Sequence, residues 1–192
     1  MINVKETSIE GVFVIEPKVF GDERGYFLES FNAKEFAEKT GVDVTFVQDN
    51  ESKSKYGVLR GMHFQLPPYT QSKLVRVVKG KVLDVVVDIR KGSPTYGKYE
   101  MCELTEENHR QFFVPKGMAH GFVVLSEEAI FQYKCDEFYH PEVEGAIAWN
   151  DPDIAINWPV PTKDVLLSEK DKRHPFIKNF NSPFSLRTDC KK

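Results

Sequence analysis

Cysteine is scarce in this 192-residue chain. Cys102, Cys135 and Cys190 stand alone, and none has the spacing of a metal or thiol-redox motif. An odd count, with no export signal in the charged first ten residues, points to the reducing cytoplasm. Cys102 and Cys135 read as small strand residues. No apolar run approaches the length that crosses a bilayer, so no membrane partner is expected. Basic excess is missing too. Lysine and arginine number 26 against 29 acidic residues, a net charge of -3, which argues against a nucleic-acid partner. Glycine-rich phosphate loops of the Walker or dinucleotide type are absent, so a bound nucleotide must be gripped by Arg and Lys side chains and by ring stacking. No linker or low-complexity segment divides the chain. It reads as one domain over residues 1–192, with a core from about residue 12 to 175 and a polar surface tail over 176–192 that includes Pro183, Lys191 and Lys192.

Short strands separated by Gly and Pro turns dominate what is present. Residues 73–79 alternate, with Leu74, Arg76 and Val78 on one face and Val75 and Val77 on the other. Residues 82–89 form a Val-rich strand with Asp84 and Asp88 set into it. Gly80-Lys81 divides these two runs, which read as a hairpin. Further strands are expected at 110–114, 121–125 and 129–135. In the last, Phe131, Tyr133 and Cys135 share a face. The pattern is all-β, a jelly-roll sandwich or barrel with a few short peripheral helices. One helix starts at Asn32, whose side chain can cap it. Glu35 completes a capping-box pattern, Phe31 and Phe36 stand at staple positions, and Gly41 can end it. A second helical stretch is expected over 168–173, capped by Ser168.

Two short motifs carry the chemistry. One is Gly61-Met62-His63-Phe64-Gln65, followed by Lys73 and Gly80; the other is Pro115-Lys116-Gly117-Met118-Ala119-His120-Gly121. Together they resemble the paired motifs of a metal-binding cupin, which offers His-x-His, a downstream Glu and a late His. Here Gln65 replaces the second His and Lys73 replaces the Glu. An ammonium repels a cation and has no lone pair to give it. The pocket is therefore expected to hold an organic anion rather than a metal, and to use acid–base chemistry by side chains alone.

Each candidate has a plainer reading. A lone His on a strand is most often a buried structural group, but Arg60 and Lys73 lie near the His63 segment and favour a neutral imidazole able to act as base. Lys73 reads either as a strand-edge surface residue or as an inward ammonium that stabilises an enolate oxygen. Tyr133 is either a barrel aromatic or a phenolic proton donor. Arg24 is either a solvated turn residue or a phosphate clamp. Tyr139 and Trp149 are candidates for stacking on a base, and Trp149 also suits a core position.

Taken in order, Asp22-Glu23-Arg24-Gly25, Gln48-Asp49-Asn50, Leu59 to Gln65, Lys73 to Val77, Gly92 to Gly97, Phe113-Val114-Pro115, His120-Gly121-Phe122 and Leu167 to Asp171 resemble the dTDP-4-dehydrorhamnose 3,5-epimerase family. The resemblance implies a cofactor-independent isomerase acting on a dTDP-sugar. It implies His63 as general base with Asp171 as its carboxylate partner, Tyr133 as proton donor and Lys73 at the C4 keto oxygen. It implies substrate contacts from Arg24, Glu29, Gln48, Asp49, Asn50, Arg60, His120, Glu144 and Lys170, with Tyr139 stacking on thymine. It also implies a homodimer whose sites borrow residues from the partner's N-terminal region. Alternatives on the same scaffold are a single-site epimerase and a ketoisomerase. A metal-dependent oxygenase using His63 and His120 and a catalytically silent sugar-nucleotide binder are the readings from other classes.

Overall fold

A computed structural model describes residues 1–186; Cys190, Lys191 and Lys192 lie outside the described residues. In chain order the elements are β1 (Ile2–Glu6), β2 (Phe13–Pro17), β3 (Val19–Asp22), β4 (Gly25–Leu28), α1 (Ala33–Thr40), β5 (Gln48–Lys55) and β6 (Leu59–Gln65). Then follow β7 (Lys73–Lys79), β8 (Lys81–Asp88), β9 (Tyr99–Thr105), β10 (Gln111–Val114), β11 (Met118–Val124), β12 (Glu128–Cys135) and β13 (Glu144–Ala146). Six strands form one sheet in the order β1-β2-β10-β7-β12-β5. Five form the other, β13-β6-β11-β8-β9, while β3 and β4 make a separate hairpin. The paired strands are antiparallel, and the fold is the all-β jelly roll that the alternating pattern predicts, of the cupin type that the two motifs resemble. Among the described residues no helix is long and apolar enough to cross a membrane.

Inward-facing residues of both sheets meet in one core. Val75, Val77, Phe112 and Phe131 come from the six-stranded sheet, and Val82, Val86, Leu104 and Phe122 from the five-stranded sheet. Phe122 and Phe131 stack across the gap at 4.2 Å between ring centroids. Burying one such side chain is worth about 1.5–3 kcal/mol. Cys102 and Cys135 are buried free thiols on strands, as small strand residues should be.

Gly80 does not close a hairpin. β7 pairs with β10 and β12, whereas β8 pairs with β11 and β9. One residue between strands is too short for a two-residue hairpin turn. Gly80, at φ 76°, instead turns the chain from one sheet to the other. The predicted helix is present as α1. Asn32 Oδ1 accepts the Glu35 N–H, and Gly41 ends the helix in the left-handed region. The reciprocal half of the capping box is missing. The Glu35 carboxylate accepts from the Ile2 N–H and pairs with the chain amine at Met1, which ties α1 to β1.

The tail is not a surface feature throughout. Ile177 and Phe184 are buried, and Phe180 packs beside them on Met62, Phe64, Val85 and Val87. These four residues make the outer face of the five-stranded sheet apolar, and that face needs a cover. Lys178, Asn179, Asn181 and Ser182 stand between these residues and hide the apolar spacing of the tail in the sequence.

Candidate active site

Strand β6 carries two candidate site side chains on one side because it is bulged. His63 pairs with His120 and Arg60 with Phe122, so three steps on β6 match two on β11. One extra residue in a strand restores the same facing to positions three apart. Arg60 and His63 accordingly line a single recess, while Met62 and Phe64 point to the other face of the sheet. Gly61 makes this possible. Its φ is 139°, and a Cβ there would stand 2.6 Å from the Gly121 Cα.

His63 Nε2 lies 2.6 Å from Asp171 Oδ1. Asp171 opens a short 3-10 turn, Asp171–Arg173, which replaces the longer helix expected over 168–173. Ser168 is not the N-cap of that turn, a position taken by Lys170, but it still ties Asp171 in place. Its Oγ accepts the Asp171 N–H at 3.1 Å and donates to Oδ2 at 2.9 Å. His174 Nε2 also reaches Oδ1, at 3.1 Å. Burial pushes the Asp171 carboxyl up. The hydrogen bond and charge of His63, with the bonds from Ser168 and His174, outweigh it and leave the group below its ordinary value. An ionised carboxylate only accepts, so the His63 proton sits on Nε2 and Nδ1 keeps its lone pair. The relevant nitrogens and oxygen of His63, Asp171 and His174 lie within 4.8 Å of one another, the one grouping of metal-ligand type among the described residues.

The facing wall belongs to the other sheet. Lys73 on β7 and Tyr133 on β12 share a face with Val75, Val77 and Phe131. The Lys73 ammonium lies 5.9 Å from the Tyr133 ring centroid. Burial pulls the Lys73 pKa down, and the negative groups opposing that are Asp84 and Glu144. Cys135 is not among them at neutral pH, because burial pushes its thiol up to about 11. Burial also raises the Tyr133 phenol, which keeps it protonated and able to donate.

Between the walls is a cavity of about 350 Å³, lined by His63, Lys73, Tyr133, Asn50, Tyr139 and Glu144 among others. A second recess of about 370 Å³ shares His63 and Glu144 and adds Arg60, Lys170 and Asp171. The two describe one polar cleft with an imidazole on one side and a phenol and an ammonium on the other. A larger recess of about 850 Å³ beside the β1–β2 connection contains no histidine, tyrosine or cysteine. Size alone therefore does not locate the chemistry.

The chain matches the family profile described as dTDP-4-dehydrorhamnose 3,5-epimerase over residues 6–179. It belongs to that family. A dTDP-4-dehydrorhamnose 3,5-epimerase from Shigella flexneri is 58% identical over 170 residues, 88% of this chain and 93% of the relative. A Legionella pneumophila epimerase, solved in complex with dTDP-4-keto-L-rhamnose, superposes with a TM-score of 0.91 at 50% identity, covering 94% of this chain and 95% of that one. A 3'-monoepimerase from Streptomyces bikiniensis, solved with dTDP-quinovose, is similar at 36% identity and a TM-score of 0.84, with 90% and 86% coverage.

Against the epimerase-family expectations, the remaining residues fall into three groups. Gln48, Asn50, Tyr139 and Glu144 line the cavity, and Lys170 joins Glu144 in an ion pair at its edge. Tyr139 donates its N–H to Gln48 Oε1 and its hydroxyl to Glu144 Oε2, which holds an exposed ring at the mouth. Asp49 points away, since strand alternation places it opposite Gln48 and Asn50, and it pairs with Lys134. His120 stands beside His63 as its cross-strand partner, buried with Nε2 at 2.9 and 3.0 Å from the Asp84 carboxylate, and it is not among the residues lining either recess. Trp149 packs in a small apolar cluster with Leu59, Val123 and Trp158 and is a core residue rather than a stacking platform. Arg24 and Glu29 are not gathered into the cleft of their own chain. Arg24 sits on the β3–β4 hairpin, exposed and paired with Asp22. Sequence reading missed His174 and the pairing of Asp84 with His120. The signal for Asp84 was an acid on the inward register of a Val-rich strand; His174 had none beyond its nearness to Asp171.

Proposed function

We propose that this chain epimerises C3 and C5 of dTDP-4-dehydro-6-deoxy-D-glucose to give dTDP-4-dehydro-L-rhamnose for dTDP-L-rhamnose biosynthesis. The observation that carries the reading is the division of the cleft: His63 stands on one sheet, Tyr133 on the other, with room for a sugar ring between them. The C4 ketone acidifies the hydrogens on C3 and C5. His63 Nδ1 takes one proton, and the electron pair moves onto the C4 oxygen as an enolate beside the Lys73 ammonium. Tyr133 returns a proton to the opposite face of the same carbon, which inverts it. His63 then passes its proton to solvent and the tyrosinate regains one, so the net change is isomerisation. Asp171 stabilises the imidazolium while it exists. An electrostatic donor such as Lys73 typically contributes about 100- to 1000-fold in rate.

Arg60, Lys170 and Tyr139 at the rim suit the diphosphate and the thymine ring. The chemistry calls for no redox cofactor and no metal, since the ketone is already in the substrate and Lys73 takes the place of a Lewis acid. We further infer a homodimer in which the partner's β3–β4 hairpin brings its copies of Arg24 and Glu29 to the cleft. Support comes from Phe20, Tyr26 and Phe27 on that hairpin, which are 48%, 63% and 68% exposed in the single chain. A cytoplasmic setting accords with the free thiols of Cys102 and Cys135. Incubation with the 4-keto sugar nucleotide, a 4-ketoreductase and NADPH should yield dTDP-L-rhamnose, with undiminished rate in EDTA. A product inverted at one carbon only would place the chain with the monoepimerases, and loss of activity in EDTA would reinstate a metal.

A further inference from the structure

We propose that His174 is a positioning residue for the reaction, acting on His63 through the carboxylate that the two imidazoles share. The inference rests on the epimerase reading above and deepens it. Asp171 Oδ1 receives His63 Nε2 at 2.6 Å and His174 Nε2 at 3.1 Å, while Oδ2 receives the Ser168 hydroxyl at 2.9 Å. The three donors approach from different chain positions and leave the carboxylate no free rotation about its own bond. The His174 ring stands edge-on to the His63 ring, with centroids 5.9 Å apart and planes at 84°, so it does not stack on the base, and it shares Asp171 Oδ1 with the His63 Nε2. Its side chain is only 12% exposed, and among the described residues its one polar side-chain contact is Asp171.

Two consequences follow for the base. A carboxylate pinned at Oδ1 holds the Nε2–H tautomer of His63, so the lone pair stays on Nδ1 and the ring stays aimed at the cleft. A carboxylate that already accepts from His174 and Ser168 is also a weaker proton acceptor. When His63 becomes imidazolium, the Nε2 proton therefore remains on nitrogen and Asp171 remains an anion. Both effects belong to the chemical step rather than to substrate binding.

Two substitutions separate this role from simple packing. His174→Gln keeps an N–H donor but loses the ring; His174→Phe keeps the ring and loses the donor. With the full-length protein, the coupled reductase assay should give His174→Phe a kcat lower by about 10-fold, the low end for a hydrogen bond to a charged group. KM should be unchanged, and His174→Gln should retain most of the parent kcat. Unchanged kcat in a folded His174→Phe would overturn the proposal. So would a loss confined to KM, which would make His174 a substrate contact, or a variant order in which Phe is active and Gln is not, which would make it packing. An inactive parent protein would instead overturn the epimerase reading, so the two failures are distinguishable.

Discussion

At the scale of single residues, the cleft is built from groups whose ionisation the fold has displaced in opposite senses. The Asp171 carboxyl lies below its ordinary value of 3.8 despite burial, held there by His63, Ser168 and His174. Folded protein then binds fewer protons at this site than unfolded chain in acid. The stabilisation is complete at neutral pH and is lost as pH falls through 3.8 toward the folded value. Urea unfolding as a function of pH should show the parent losing more stability across that acid window than Asp171→Asn, which has no carboxyl to titrate. Parallel curves would mean that the network around Asp171 contributes nothing to folding. The sequence made His63, Lys73 and Tyr133 visible because each stands in a motif or on an inward register. It did not make His120 legible. That residue shares a motif with the late cupin His, but only the structure shows that its ring, on the same sheet face as His63, is buried and taken up by the Asp84 carboxylate.

At the scale of elements, strand periodicity located the β-strands it was asked for, since alternation follows directly from a sheet with one face in the core. Pairing was less legible. β7 and β8 look like a hairpin because both are apolar and a glycine separates them, yet Gly80 carries the chain between sheets. Which sheet a strand joins depends on contacts far along the chain. The tail shows the same limit. Phe184 is 1% exposed and meets the Phe64 ring at 5.6 Å, although its neighbours read as a polar surface segment. Phe184→Ala should cost about 3–5 kcal/mol in urea unfolding, the usual range for a buried Phe. A cost below 1 kcal/mol would show that the tail does not cover the sheet.

At the scale of the whole molecule, a single chain brings His63, Tyr133 and Lys73 to one cleft, but its β3–β4 hairpin projects apolar rings away from the core. A second copy that covers this hairpin accounts for both the exposed rings and the distance of Arg24 and Glu29 from their own cleft. Phe27→Asp should shift the protein toward monomer in sedimentation velocity and lower kcat/KM together with it. A monomeric parent would remove that account. The central claim is the division of labour across the cleft, and proton NMR in D2O tests it most directly. Parent protein with the 4-keto sugar nucleotide should take up deuterium at C3 and C5 with inversion. Tyr133→Phe should still exchange, but with retention, and His63→Asn should not exchange at all. Inversion at the parent rate in Tyr133→Phe, or exchange surviving in His63→Asn, would contradict it.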